Sequence, residues 1–118
     1  MGKRTEEYLA RRVNSIIGKG TEFTGTLRTK ETVRIDGLVN GDIFSEGTLI
    51  VGNGGEVHGK IEAVNILIGG EVHGELFASG RIEATNTGRI YANLHTKSLI
   101  VDEKAEFYGT CEMIREEK

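Results

Sequence analysis

The sequence predicts an all-β fold, a right-handed parallel β-helix (β-solenoid) of about six coils of roughly 17 residues each. Three observations predict it. An apolar-x-small-x-apolar motif recurs six times, glycine reaches 17 of 118 residues, and proline is absent. Glycine-rich disorder normally comes with proline. Here the glycines stand among regularly spaced Val, Ile and Leu, and without proline every backbone N–H remains available to a hydrogen-bonded ladder.

The motif reads Phe23-Gly25-Leu27, Val39-Gly41-Ile43, Val57-Gly59-Ile61, Val72-Gly74-Leu76, Ile90-Ala92-Leu94 and Phe107-Gly109-Cys111. Its central residues lie 16, 18, 15, 18 and 17 positions apart. Two places further on the column continues with Thr29, Ser45, Ala63, Ala78 and Thr96 before Met113 ends it. A second alternating segment precedes each copy, as Ser15-Ile17, Val33-Ile35, Leu49-Val51, Ile66-Ile68, Ile82-Ala84 and Leu99-Val101. Period-two alternation turns these residues inward and their neighbours outward. The repeat is too short for a helix pair and too regular for a hairpin-linked sandwich. One solenoid coil per repeat fits, each residue stacking on its equivalent about 4.8 Å away. A single coil cannot bury its own apolar face, so the fold exists only as a stack.

The step between the two segments varies from four residues (Ile35 to Val39) to six (Val51 to Val57). That departs from the strict six-residue period of left-handed solenoids, and the right-handed crossover preference decides the hand. The recurrent glycines are read as places where a narrow interior leaves no room for a side chain, with Ala92 the smallest exception.

The chain divides into a tail at 1–14, the β-helix at 15–114 and a short tail at 115–118. Within the first tail, Thr5 to Asn14 reads as a short helix. Thr5 caps it, Glu6 and Glu7 suit its positive end, and Arg11 and Arg12 its negative end. Leu9 and Val13 share a face beside Tyr8. Three roles are open to it: capping the first coil, joining a polymer contact, or lying on a membrane through Lys3, Arg4, Tyr8, Leu9, Arg11 and Arg12.

The net charge of −3, with both signs interleaved, argues against nucleic acid as a partner. The single Cys111 forms no internal disulfide, and no apolar run approaches the roughly 20 residues of a membrane span. No secretory signal is visible, so a cytoplasmic location is expected. No catalytic constellation emerges, and neither cofactor nor metal is expected. The enzymatic alternative is a solenoid acyltransferase with a histidine base, and the irregular period opposes it; a ligand-binding solenoid is the other alternative. Gly52-Asn53-Gly54-Gly55 and Gly69-Gly70 are turns without the lysine of a phosphate loop. His58 and His73 share one outward column a coil apart, and two imidazoles without a third ligand make a weak metal site. Their column mates Thr24, Asn40, Tyr91 and Tyr108 favour a polar ladder. Cys111 falls on an inward column and is expected to be a buried, inert thiol.

The stretches Ile17-Gly18-Lys19-Gly20-Thr21, Val33-Arg34-Ile35-Asp36-Gly37, Ser45-Glu46-Gly47-Thr48-Leu49-Ile50-Val51-Gly52 and Ala105-Glu106-Phe107-Tyr108-Gly109 resemble the bactofilins, bacterial polymer-forming cytoskeletal proteins. The resemblance runs from Gly18 to Met113. It implies a right-handed, roughly triangular β-helix that polymerises without nucleotide into non-polar filaments, head to head and tail to tail. It also implies a bacterial cytoplasm, a scaffold role, and association with the inner face of the membrane or with other cell-envelope and cytoskeletal proteins.

Open solenoid ends expose unpaired backbone groups and are natural polymerisation sites. Phenylalanine occupies the first inward column only in the two end coils, at Phe23 and Phe107. These two, with Tyr108, Met113 and Ile114, are the expected end contacts; the competing reading makes the rings plugs for tapering coils. On the outside, one column runs Ile16, Arg34, Ile50, Leu67, Glu83, Ile100, and another carries Phe44 and Phe77. Ile16, Ile50, Leu67, Ile100, Phe44 and Phe77 therefore form a candidate lateral or membrane surface, or a strip covered by the protein's own termini.

Overall fold

In a computed structural model, which describes residues 15–114, the chain folds as a stack of six coils made entirely of parallel strands. The strands are β1 Ser15–Ile17, β2 Glu22–Thr29, β3 Val33–Ile35, β4 Leu38–Ser45, β5 Thr48–Val51, β6 Glu56–Ile68, β7 Glu71–Ala84, β8 Arg89–Val101 and β9 Glu106–Met113. All nine belong to one parallel sheet that winds around the core. The helix expected over Thr5 to Asn14 lies outside the described residues.

Register follows the sequence columns. Phe23 pairs with Val39, Val39 with Val57, Val57 with Val72, Val72 with Ile90 and Ile90 with Phe107. The preceding segments align likewise, Ile17 on Ile35, Val51, Ile68, Ala84 and Val101 in turn. Side chains on these columns point inward from every side, so the core is a set of apolar stacks. Val33, Ile35, Val39, Ile43, Leu49, Val57, Ile61, Leu76, Ile82, Ile90 and Leu94 are all inaccessible to solvent. Each such burial contributes about 1.5–3 kcal/mol against conformational entropy.

Each coil has three sides. After its short first strand the chain turns, runs a second side to the column glycine, bends there, and runs a third. The bend at Gly41, Gly59 and Gly74 has φ of +144°, +146° and +131°, a region closed to side chains. A β-carbon added at Gly74 would strike the carbonyl oxygen of Gly59, and one at Gly59 that of Gly41. The expected lack of room for a side chain is met, with the obstacle being backbone one coil back, and the glycines also make a corner that the sequence did not announce. Ala92 stands in register between Gly74 and Gly109 and is the tolerated exception of this column. Among the described residues no non-glycine has positive φ, and the Ala92 methyl is buried in the core.

Coil length is adjusted at the first corner. Coils two and four turn through two residues, Asp36-Gly37 and Gly69-Gly70, whereas the others use four. The longer turns close on themselves: the N–H groups of Thr21, Gly55, Gly88 and Ala105 donate to the carbonyls of Gly18, Gly52, Thr85 and Asp102. At the last corner, buried Ser45 donates to the Glu31 carbonyl at 2.8 Å and accepts from Gly47 N–H at 3.0 Å. Among the described residues no buried side-chain polar atom lacks a partner.

Candidate functional site

Two kinds of surface stand out, the ends of the stack and its outward columns. Strand β9 pairs only with β8, and β2 only with β4. Each is eight residues long, and its outer edge carries unpaired N–H and C=O groups among the described residues. The core columns run out into these faces. At the C-terminal end Phe107 and Cys111 are half-covered, while Val101 is 38% and Met113 51% exposed. Tyr108 and Ile114 are also exposed there. At the other end Ile17, Phe23 and Leu27 are half-buried, packed on the core from one side. Phe23 and Phe107 thus sit at the two ends as the sequence suggested.

Cys111 lies on its inward column, but in the end coil only one neighbour covers it. The expectation of a buried thiol is corrected to a half-buried one. Its Sγ lies 3.7 Å from Met113 Sδ, and the cover it has raises its pKa above the ordinary thiol value through desolvation.

The first outward column is apolar at its ends and mixed in its middle. Ile16 and Ile100 are 64% and 46% exposed, and Ile50 and Leu67 are half-buried. Arg34 stands between Ile16 and Ile50 and is tied to Asp36 by an ion pair of 2.9 Å. Phe44 and Phe77 were expected as exposed aromatics; both are half-buried instead. The Arg28 guanidinium lies 4.7 Å from the Phe44 ring centroid, and Lys60 Nζ 5.3 Å from that of Phe77. His95, next in the same column, stacks on Phe77 with ring centroids 4.4 Å apart. The Phe44 and Phe77 rings wall an open groove of about 790 Å³ whose lining also includes Ala63, Val64 and Ile114. The membrane-tail residues Lys3, Arg4, Tyr8, Leu9, Arg11 and Arg12 lie outside the described residues.

On the neighbouring side the rings of His58, His73, Tyr91 and Tyr108 form one continuous stack, with centroid separations of 4.4, 4.7 and 5.3 Å. Each histidine also meets a glutamate two residues before it, His58 Nε2 to Glu56 and His73 Nε2 to Glu71, both at 2.5 Å. The hydrogen bond from His73, opposed by burial and helped by the nearby Arg89 charge, holds the Glu71 carboxyl below its ordinary pKa. The reading of two histidines without a carboxylate in fixed geometry is therefore corrected. The signal was present: residues i and i+2 of a strand share a face, and Glu-x-His occurs in consecutive coils.

Among the described residues no helix is long and apolar enough to cross a membrane. A family model described as "Bactofilin: Polymer-forming cytoskeletal" matches residues 15–112. The fold is similar to a cryo-EM reconstruction of Thermus thermophilus bactofilin double helical filaments, at TM-score 0.81 and 39% identity, covering 86% of this chain and all of that one. It is also similar to the crystal structure of a phenylalanine-to-arginine mutant of Thermus thermophilus bactofilin. There the TM-score is 0.71 and the identity 42%, over 75% of this chain and 98% of the other. No curated protein sequence matches.

Proposed function

The chain belongs to the bactofilin family of polymer-forming cytoskeletal proteins, and from that premise we propose that its filament grows by contact between the open end coils, without nucleotide, to serve as a scaffold. The observation that carries this is the pair of edge strands. Among the described residues β2 and β9 each present an outer edge of unpaired backbone groups above apolar columns that break off half-covered. Such an edge is a template for another strand. Docking a second end on it completes both the ladder and the core in one step.

Residues 15–114 form the polymerising domain in this reading, with 1–14 and 115–118 as tails. Phe107, Tyr108, Met113 and Ile114 meet their equivalents at one joint, and Phe23 meets its equivalent at the other. Like ends then face each other and the filament has no polarity. Ile16, Ile50, Leu67 and Ile100, with Phe44 and Phe77, supply lateral contact between filaments or against a membrane. A cytoplasmic site at the inner face of the membrane follows from the family resemblance, with Lys3, Arg4, Tyr8, Leu9, Arg11 and Arg12 as the adhering residues. Other cell-envelope or cytoskeletal proteins are its natural companions there.

The test is Phe107→Arg. Burying an unpaired guanidinium at a joint costs several kcal/mol, about enough to abolish association, but at this half-covered position the charged head still reaches water in the free chain. Sedimentation and negative-stain microscopy without nucleotide should show filaments for the parent and none for the variant, whose thermal unfolding stays cooperative. Growth that stops at dimers, joined through the intact N-terminal face, marks like-to-like contact; monomers would mark head-to-tail stacking instead. Undiminished filaments would remove the C-terminal face from the joint.

A further inference from the structure

We propose that Glu56, His58 and His73, with Glu71, form a surface site for a divalent transition cation of the zinc class that clamps the third and fourth coils together. The donor atoms of Glu56, His58 and His73 all lie within 4.8 Å of one another. They come from strands in register, Glu56 on Glu71 and His58 on His73. Both Nε2 atoms lie on the same edge of the imidazole stack, each against its own glutamate at 2.5 Å.

Three features make this more than a polar ladder. The donors that lie together are two imidazole nitrogens and one carboxylate oxygen, a set that zinc takes with water in the fourth tetrahedral position and ligand bonds of about 2.0–2.2 Å, and Glu71, held to His73, stands beside them. Glu56 and Glu71 are like charges directly opposed on adjacent strands, an arrangement that costs stability unless a cation lies between. The carboxylates also line a hollow of about 190 Å³ beside the Asn53 and Thr87 turns, open to an ion from solvent. All four side chains are partly exposed, so a modest ring tilt brings both Nε2 atoms toward one ion while each glutamate exchanges its histidine hydrogen bond for a metal bond.

The opposing charge is Arg89, whose Nη1 lies 3.8 Å from Glu71. It competes for the same carboxylate and sets the affinity of the site. His95 provides the internal control. It too contacts two glutamates, Glu75 at 3.1 Å and Glu112 at 3.0 Å, but it is one imidazole alone.

Equilibrium dialysis of the full-length chain against zinc chloride, read with a chromophoric chelator, tests the proposal. One zinc per chain is expected. His58→Asn, His73→Asn and the isosteric Glu56→Gln should each weaken it by about tenfold or more, the scale on which metal sites respond to loss of one group. Arg89→Gln should tighten it and His95→Asn leave it unchanged. Zinc should raise the melting temperature of the parent and not that of His73→Asn; magnesium, which prefers all-oxygen shells, should do neither. Circular dichroism without metal keeps misfolded variants out of the comparison. Parent chain that takes up no stoichiometric zinc, or histidine variants that bind as the parent does, would overturn the site.

Discussion

The inner four coils and the two terminal coils are built on the same columns, yet they live in different environments. Ile35, Ile43, Ile68 and Leu94 are sealed, whereas Val101 and Met113, on continuations of the same kind of column, are 38% and 51% exposed. Nothing in the local sequence separates Ala84 from Val101. Burial in this fold is supplied by the neighbouring coil, so an end residue is a core residue lacking one neighbour, and the proposed end-to-end joint would turn it back into a core residue.

The largest break in that comparison is expected at an inner corner. Gly74→Leu needs a positive φ that leucine avoids and drives a β-carbon into the Gly59 carbonyl. Loss of the cooperative thermal transition is the expected result, and a sharp transition near the parent temperature would show that the corner can rearrange. Next comes truncation of the same column at two depths. Leu76→Ala in a sealed coil should cost about 2–5 kcal/mol. Leu27→Ala, half-buried in the first coil, should cost less than half as much in free chains. In assembled filaments the gap should narrow if the joint covers Leu27. Denaturant midpoints below and above the polymerisation threshold measure both. The smallest effect on folding is expected for Ile100→Asp, within about 0.5 kcal/mol because the side chain is exposed. Any effect should fall on pairing between filaments, seen as single strands where the parent bundles.

The stacking was legible because it repeats. Six copies at nearly constant spacing fix which residue lies over which, and the register from Phe23 through Phe107 follows them. The lack of room at the column glycines was legible but the corner was not, because periodicity reports the side of the sheet and not the backbone torsion; Gly74 keeps inward parity while its φ of +131° turns the chain. Phe44 and Phe77 were placed on the correct face, but their partial burial comes from Arg28, Lys60 and His95, which reach them across coils. The histidine pair was seen only along its column. Its glutamates lie along the strand, at right angles to the column. In a solenoid, chemistry is two-dimensional, one axis along the chain and the other across coils.

The turns of unequal length at the first corner have one more consequence. Gly52 to Gly55 and Gly69-Gly70 differ by two residues, yet Val51 still pairs with Ile68 and Glu56 with Glu71. Extra chain there bulges outward and leaves the axial rise untouched. A peptide grafted between Asn53 and Gly54 would therefore recur once per subunit at the filament's own spacing, turning the rod into a ruled lattice for display.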